Sequence, residues 1–294
     1  MPLRSATRFA PAKVNLYLHV GAVAADGYHP LHSLMVFADV GDRIDLTPSD
    51  QMAFGIEGPF AAPLDAESDN LVVRARNGLL AQLGSAPPPF RLTLYKALPL
   101  AAGLGGGSSD AAATLRLVDD VLGTGHSSEA LHRLALALGS DTPACLAARS
   151  VLASGRGERL AAPPPFPSLD AVLVNPRAPA PTGAVYRQFD AAAGVDQDAA
   201  PVWPAGEFTP KTFADFLDGC RNDLEAPAIS VQPLVATVLH SLRSDPLTLL
   251  GRMSGSGATC FAICRDAADA SLLAARLTLR HPDWWVTACR FTGS

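Results

Sequence analysis

The sequence predicts an α+β protein of two domains. Its 294 residues suit about two domains of ordinary size. Patterns typical of strands and patterns typical of helices both occur in each half of the chain. Between the halves, residues 161–167 contain four prolines and predict a stiff connection. We therefore place a first domain at residues 1–160 and a second at residues 168–294.

The first half begins with strand patterns. Polar and apolar residues alternate over 13–20, which puts the polar side chains on one face of a strand and the apolar ones on the other. Shorter strands are expected at 43–46 and 91–96. Residues 70–83 show a helical pattern, and Gly84 can end that helix.

Helical patterns follow in the rest of the first half. Apolar residues recur at steps of four, three and four over 111–122, and Gly123 stops this helix. A second helix is expected over 128–139. A third can start at Asp141 or Thr142, because a proline follows in its first turn.

The second half mixes short strands and helices with one long irregular stretch. Strand patterns occur at 171–174, 259–264 and 285–290, and helical patterns occur at 213–217, 234–242 and 268–280. Residues 191–210 are rich in Ala and Pro. A loop of this kind is either a flap over a substrate or a disordered excursion.

The composition excludes several classes of protein. The net charge is −5 and no long run of one sign occurs, which argues against an extended nucleic-acid-binding surface. The five cysteines are odd in number and form no Cys-x-x-Cys pair, so neither a disulfide framework nor a structural zinc site is expected. The N-terminus lacks a signal-peptide pattern. No apolar stretch is as long as the roughly 18 residues that a membrane span needs. We expect a soluble, cytoplasmic protein with reduced thiols.

Lysine is rare in this chain. Of 23 basic residues only three are Lys, namely Lys13, Lys96 and Lys211. Lys and Arg differ in shape, hydration and donor geometry. Each remaining lysine is therefore a candidate for a place where a guanidinium group does not fit. The alternative is that the three are a random remnant of a bias towards Arg.

The strongest functional signal is a glycine-rich run between the predicted strand 91–96 and the predicted helix 111–122. It comprises Pro99, Leu100, Ala101, Ala102, Gly103, Leu104, Gly105, Gly106, Gly107, Ser108 and Ser109. Glycines allow a sharp turn and a close approach of the backbone to a ligand. Backbone N–H groups in such a turn and at a helix N-terminus bind anions. The run therefore predicts a phosphate-binding loop.

A purely structural interpretation of this run is a tight strand-to-helix turn in which Ser108 or Ser109 caps the helix. Four glycines within residues 103–107 exceed what such a turn requires, so phosphate binding is favoured. The run lacks the Gly-Lys-Ser/Thr of a Walker A loop. A cation for the transferring phosphate must then come from elsewhere, and Lys13 is the candidate.

Three segments of the chain resemble the three motifs of the GHMP kinases, the relatives of galactokinase, homoserine kinase, mevalonate kinase and phosphomevalonate kinase. The segments are 10–16, 99–112 and 252–258, and they occur in the expected order. The resemblance implies a two-domain α+β fold, with an N-terminal domain like the second domain of ribosomal protein S5 and a C-terminal ferredoxin-like α/β plait. It also implies an active site in the cleft between them and an ATP-dependent small-molecule kinase.

Further segments resemble one branch of that family, namely 25–29, 105–112 and 138–143. Members of this branch phosphorylate the 2-hydroxyl of a cytidine diphosphate conjugate of methylerythritol, in the non-mevalonate route to isoprenoids. The resemblance therefore implies ATP and Mg²⁺ as cofactors and this conjugate as the small-molecule partner. No nucleic acid and no membrane are expected as partners, and the protein is expected to be a monomer or a homodimer.

The resemblance also assigns the catalytic residues. Asp141 matches the family's catalytic aspartate, the general base for the substrate hydroxyl. Lys13 matches the catalytic lysine, which would keep Asp141 ionised and stabilise charge on the transferring group. Asn15 shares the strand face of Lys13 and is assigned to the substrate. By itself, Asp141 before Thr142 and Pro143 is a good helix N-cap, and the two roles can coexist.

The substrate's cytidine diphosphate part is expected to contact four residues that match the branch: Tyr28, His29, Thr182 and Tyr186. Tyr186 matches an aromatic residue that stacks on the cytosine ring. Stacking together with hydrogen bonds to the base edge would select the nucleobase.

On the nucleotide side, Asn70 and Lys96 match positions near the adenine of ATP. Mg²⁺ is expected to bind through the ATP phosphates, with Ser108 or Ser109 as a further ligand. The segment 254–258 would close the floor of the site beside the phosphate loop; the alternative is a glycine turn between two strands.

Two competing functions stay open at this point. Another GHMP kinase would act on a sugar, homoserine or mevalonate, but those substrates have no base for an aromatic pocket at Tyr28, His29 and Tyr186. A non-catalytic phosphate-binding or RNA-binding module is the other, and the acidic composition disfavours it.

Overall fold

The computed structural model of the chain describes residues 3–25, 27–62, 64, 69–192 and 199–294. The strands are β1 (Ala6–Val20), β2 (Leu31–Pro48), β3 (Ala53–Glu57), β4 (Phe90–Tyr95), β5 (Val151–Gly155), β6 (Arg159–Ala161), β7 (Leu169–Asn175), β8 (Thr248–Met253), β9 (Cys260–Cys264) and β10 (Trp285–Phe291). The helices are α1 (Leu71–Leu80), α2 (Gly106–Leu122), α3 (Ser128–Leu138), α4 (Thr142–Ala147), α5 (Thr182–Ala191), α6 (Pro210–Asp218), α7 (Glu225–Val231), α8 (Leu234–Arg243) and α9 (Ala267–Arg280).

The chain forms two compact units, each assembled from three separate segments. Unit 1 comprises Met1–Ala12, Gly41–Leu98 and Gly105–Ala148, and unit 2 comprises Lys13–Val40, Pro99–Leu104 and Arg149–Ser294. Strands β1 and β2 therefore contribute residues to both units. The division into domains at residues 161–167 stays a prediction.

Unit 1 combines the four helices α1 to α4 with β3, β4 and the second half of β2. Strand β3 runs parallel to β4, and β4 runs antiparallel to residues 43–48 of β2. Helix α2 contacts α1, α3 and α4, and most of its apolar side chains are buried. Such packing holds α2 rigidly, and its first turn carries the glycine and serine residues of the predicted phosphate loop.

Unit 2 is a sheet with helices around an apolar core. Strand β7 is antiparallel to both β10 and β9, and β9 is antiparallel to β8. The first half of β2 pairs antiparallel with β5. Buried apolar side chains from β1, β7, β9, α5, α8 and α9 form one continuous cluster. This core holds β1 and the segment after β8, which carry two of the three family-like motifs.

Most predicted elements are confirmed, with boundary shifts of a few residues. The strand at 13–20 is part of the longer β1, and the strand at 43–46 is part of the long β2. The prediction that Gly84 ends the first helix is wrong, because α1 ends at Leu80. Tighter turns follow, in which the backbone N–H groups of residues 82 and 83 donate to carbonyls three residues earlier.

The sequence patterns missed several short elements, namely β3, β5, β6, β8, α5 and α7. Helix α5 buries only Val185 and Phe189, which is too few apolar positions for a recognisable stripe. Of the irregular stretch 191–210, residues 193–198 lie outside the described residues, and 199–209 contain no helix or strand.

The cysteines behave as the sequence predicts. All five are free and buried. Burial raises the pKa of the Cys220 thiol to about 11 and that of Cys264 to about 12, which disfavours the reactive thiolate. Within the described ranges, no helix is both long enough and apolar enough to span a membrane.

Candidate active site

Three motifs that are distant in sequence meet within unit 2. The backbone N–H of Lys13 donates to the carbonyl of Leu104 at 2.8 Å. The backbone N–H of Asn15 donates to Ser254 Oγ at 3.1 Å, and this hydroxyl donates to the carbonyl of Gly103 at 2.9 Å. Strand β1, the segment Pro99–Leu104 and the turn after β8 are therefore joined by direct hydrogen bonds.

Gly103 is required at the centre of this junction. Its φ is 72°, and a Cβ on it would lie 2.3 Å from the carbonyl oxygen of Ser254. The neighbouring Ala102 carbonyl accepts from Thr259 N at 3.1 Å. Two backbones thus pass each other at a distance that only glycine permits.

Lys13 and Asn15 form a buried polar pair on β1. Lys13 Nζ donates to Asn15 Oδ1 at 2.8 Å, and Asn15 Nδ2 donates to Ser33 Oγ at 2.7 Å. Ser33 Oγ in turn donates to the carbonyl of Tyr17 at 2.6 Å. Lys13 and Asn15 are 4% and 2% exposed. The chain of bonds fixes the orientation of the amide, and the amide oxygen directs the ammonium group.

Arg252 of β8 holds strand β1, which bears this pair, through a hydrogen bond to its backbone. Its buried guanidinium donates to the carbonyl of Leu16 at 3.0 Å and to those of Leu217 and Cys220 at 2.8 and 2.7 Å. Burial lowers the pKa of Arg252. Because three carbonyl oxygens accept from it, this cation fastens β1 to β8 and to the end of α6.

In unit 1, the residues from Gly105 to Ser109 form the start of α2. Gly105 is the N-cap with a φ of 59°, and no side chain caps the helix. The interpretation of Ser108 or Ser109 as the N-cap is therefore wrong, since both lie inside the first helical turns. Ser109 Oγ donates to the carbonyl of Pro11 at 2.7 Å, whereas Ser108 is half-buried. Uncapped N–H groups and the helix dipole make this turn suitable for an anion.

Asp141 occupies the N-cap position of α4, but its side chain makes no capping hydrogen bond. Asp141 therefore occupies the N-cap position, as predicted, but the interpretation of its side chain as the capping group is wrong. The carboxylate is half-buried. A catalytic role for Asp141 stays a prediction.

The two residues predicted near the adenine both make internal contacts in unit 1. Asn70 is the N-cap of α1, and its Oδ1 accepts from Val72 N at 2.9 Å. Lys96 is 3% exposed, and its Nζ donates to Asp42 Oδ2 at 2.5 Å and to Asp110 Oδ2 at 2.7 Å. Adenine contacts of Asn70 and Lys96 stay predictions.

In this Lys96 cluster, burial and the neighbouring charges have opposite effects on the pKa values. Burial alone would lower the pKa of Lys96, but Asp110 and Asp42 raise it. Burial raises the pKa of Asp110 to about 7 against the effect of Lys96. Lys96 is therefore held as an ammonium by its two carboxylate partners.

A second group of predicted residues comes together in unit 2, around His29. Its Nδ1 lies 2.9 Å from the carbonyl oxygen of Gly21, and its Nε2 lies 3.2 Å from Asp190 Oδ1. The imidazole packs against Tyr186, with ring centroids 5.1 Å apart, and meets Phe189 edge-on. These contacts fix the plane of His29 beside an aromatic side chain.

Tyr28 and Thr182 lie in the same unit. Tyr28 is 56% exposed, and the guanidinium of Arg156 lies 4.1 Å from its ring centroid. Thr182, the first residue of α5, has its Oγ1 2.8 Å from Ser256 Oγ. That contact ties the start of the helix bearing Tyr186 to the turn after β8.

Comparisons with known proteins decide the family. The model of the GHMP kinases N terminal domain matches residues 70–149, and the model of the GHMP kinases C terminal region matches residues 208–282. A 4-diphosphocytidyl-2-C-methyl-D-erythritol kinase from Caulobacter vibrioides is 54% identical, over 97% of this chain and 98% of that one. A relative of the same name from Hyphomonas neptunium is 45% identical, over 98% and 97%. The chain belongs to the GHMP kinase family.

Solved structures agree with this assignment. A crystal structure of 4-(cytidine 5'-diphospho)-2C-methyl-D-erythritol kinase superposes with a TM-score of 0.76 at 31% identity, covering 98% of this GHMP kinase and all of that chain. A homoserine kinase from Cytophaga hutchinsonii has a TM-score of 0.70 at 18% identity, over 98% and 95%, and shows the fold alone. The predicted family, the α+β GHMP kinase fold and the activity class, a small-molecule kinase, are confirmed.

Several residues that shape this GHMP kinase site were not found from the sequence. Ser33, Asp42 and Asp190 contact predicted site residues across 18 or more positions of sequence. No local pattern marks such long-range partners. Asp110 is different, since it ends the glycine-rich motif and a charged residue on the buried side of a helix is itself a signal.

The steric requirement at Gly103 predicts the effect of its substitution. Gly103→Ala should lower the free energy of unfolding by about 2 kcal/mol or more, because a left-handed residue with a Cβ costs about 1–2 kcal/mol before any clash. Urea unfolding measures this. Gly84→Ala is the matched control, with nothing within 4 Å of its added Cβ, and should change stability by less than about 0.5 kcal/mol. Equal effects of the two substitutions would contradict the close backbone approach.

Proposed function

We propose that this protein transfers the γ-phosphoryl group of ATP to the 2-hydroxyl of 4-diphosphocytidyl-2-C-methyl-D-erythritol, as part of non-mevalonate isoprenoid precursor biosynthesis. The main support is the sequence identity of 45–54%, across nearly the whole chain, to relatives that are named as this kinase. Membership of the GHMP kinases implies ATP as phosphoryl donor. The aromatic group around His29 and Tyr186 supports a substrate that contains a nucleobase.

The ATP phosphates bind at the glycine-rich run in this proposal. The N–H groups of the first turn of α2, from Gly106 to Ser108, donate to phosphate oxygens. The segment Pro99–Leu104 supplies further backbone groups. Support comes from the left-handed N-cap Gly105 and from the lack of a capping side chain on α2.

Lys13 and Asp141 have separate roles in the transfer. The ammonium of Lys13 stabilises negative charge on the transferring group, and its bond to Asn15 Oδ1 supports a fixed orientation for that charge. Asp141 accepts the proton of the substrate hydroxyl. Its half-buried position at the start of α4 supports this role.

Mg²⁺ is proposed to bind through the ATP phosphates. When bound, it neutralises charge on the phosphate oxygens. Of the two serines predicted as Mg²⁺ ligands, Ser109 is the less suitable, because its Oγ already donates to the Pro11 carbonyl. Ser108, one residue earlier and half-buried, is therefore the better of the two predicted ligands.

The cytidine part binds beside α5. Tyr186 stacks on the cytosine, and His29 and Tyr28 contribute to the pocket for the base and the diphosphate. Asn15 and Thr182 complete the proposed substrate contacts. The ring contacts of His29 with Tyr186 and Phe189 support a preformed aromatic wall. We place the reaction in the cytoplasm, with no nucleic acid or membrane as partner, in a monomer or homodimer.

A substrate panel tests the proposed substrate. With ATP and Mg²⁺, the purified protein should phosphorylate 4-diphosphocytidyl-2-C-methyl-D-erythritol at least about 100-fold faster than mevalonate, galactose or homoserine, because the latter lack the base and diphosphate contacts. Coupled detection of ADP measures the rates. Turnover of one of the other alcohols, with none of the cytidylyl substrate, would refute the proposal while leaving the family intact.

Asp141→Asn tests the general base. The amide keeps the shape of the carboxylate but cannot accept the proton, so kcat should fall roughly 10²–10⁴-fold. KM for both substrates should change little. Asp50→Asn is the control, since Asp50 is exposed, and it should retain the wild-type rate. An unchanged rate in Asp141→Asn would remove this carboxylate from the chemistry.

Tyr186→Leu tests base stacking. Loss of one aromatic contact with a base costs about 1–3 kcal/mol, so KM for the cytidylyl substrate should rise roughly 10–100-fold. KM for ATP should stay within about 2-fold, because the proposed contact is to the other substrate. Tyr95→Leu, at a tyrosine of unit 1 that is 37% exposed, is the control. A rise in both KM values for Tyr186→Leu would contradict a specific stacking role.

A further inference from the structure

The Lys96 cluster is the most strongly buried ionic group of unit 1 among the described residues. The side chains of Lys96, Asp42 and Asp110 are 4%, 0% and 3% exposed. Taking charges out of water costs free energy, and a buried ion cluster is often no more stable than apolar side chains of the same size. Stability alone therefore does not explain this group, and a positioning role is the better explanation.

The cluster joins the segments on both sides of the glycine-rich run. Asp42 Oδ1 accepts from the backbone N–H groups of Ala97 and Leu98 at 2.6 and 2.8 Å, which fixes the chain just before the run. Asp110 belongs to α2, just after it. Because Lys96 Nζ donates to both carboxylates, the start of α2 is tied to the end of β4.

Lys96 also lies close to the run itself. A Cβ on Gly106 would lie 3.1 Å from Lys96 Nζ and 3.6 Å from Asp42 Oδ2. The first residue of α2 therefore faces the ammonium group with little space for a side chain between them. Because Lys96 Nζ donates to both Asp42 and Asp110, a change in its position would shift the start of α2 relative to the end of β4.

We propose that Lys96 is a positioning residue for the phosphate loop: its ammonium, held by Asp42 and Asp110, sets the first-turn N–H groups of α2 for the ATP phosphates. This rests on the proposed function. It replaces the contact with adenine that the sequence indicated for Lys96. The two roles differ in which part of the nucleotide they affect.

Binding of ATP and of inorganic tripolyphosphate separates the two roles. Calorimetry on Lys96→Met should show both ligands weakened by the same factor, about 10-fold or more, because misplaced N–H groups affect phosphates alone. In turnover assays, KM for ATP should rise while KM for the cytidylyl substrate stays within about 2-fold. Lys211→Met, at an exposed lysine paired with Asp215, should match wild type.

A charge-matched variant covers the case in which Lys96→Met fails to fold. When both carboxyl groups are ionised, the wild-type cluster has charges of +1 and twice −1, which sum to −1, and Lys96→Met/Asp110→Asn keeps only Asp42, also −1. This double variant should fold, as judged by its thermal transition, and should weaken ATP and tripolyphosphate equally. Gly106→Ala, which leaves all three charges in place, should do the same because its methyl group meets Lys96 Nζ.

Two results would overturn the inference. Loss of ATP binding with unchanged tripolyphosphate binding, together with reduced preference for ATP over GTP, would assign Lys96 to the adenine. Wild-type affinity for both ligands in a folded Lys96 variant would show that the cluster does not position the loop. If wild-type protein binds neither ATP nor tripolyphosphate, the proposed function itself fails, which is a distinct outcome.

Discussion

The close passage of two backbones at Gly103 is the constraint on which unit 2 depends. The carbonyl oxygen of Ser254 occupies the space that any Cβ at position 103 would need. This contact aligns the segment Pro99–Leu104 with the turn after β8, and Ser254 Oγ connects both to Asn15 on β1. Hydrogen bonds between backbone groups and one buried hydroxyl therefore set the strand that presents Lys13.

Buried polar groups carry much of the geometry in both units. Lys13, Lys96 and Arg252 are each almost inaccessible to water, and each has oxygen acceptors at hydrogen-bond distance. Burying a cation without such partners would cost several kcal/mol. The partners also fix direction, because an ammonium or guanidinium group must point at its acceptors. In this kinase, desolvated cations act as fixed points for backbone segments.

Local sequence patterns predict an element reliably where one of its faces must be buried or its backbone needs a special conformation. The amphipathic stripe over 111–122 predicted α2, because one apolar face must be buried against neighbouring helices. The glycine-rich run predicted a sharp turn with exposed N–H groups, and the left-handed Gly105 agrees with it. Helix α5, which carries Tyr186, was missed because it buries only two side chains. The capping role expected for Ser108 or Ser109 was wrong, because Gly105 is the N-cap of α2. Asp141 does occupy the predicted N-cap position of α4, but its side chain makes no capping hydrogen bond.

By itself, the sequence determined the family and the fold class and predicted most residues of the proposed site, because these depend on short motifs whose glycines and charges have a local physical purpose. Only the tertiary structure decided the partners of those residues. Asp42 and Asp190 meet Lys96 and His29 through chain segments far apart in sequence. A residue's own type and its neighbours do not encode which distant side chain will reach it, since that depends on how strands and helices pack.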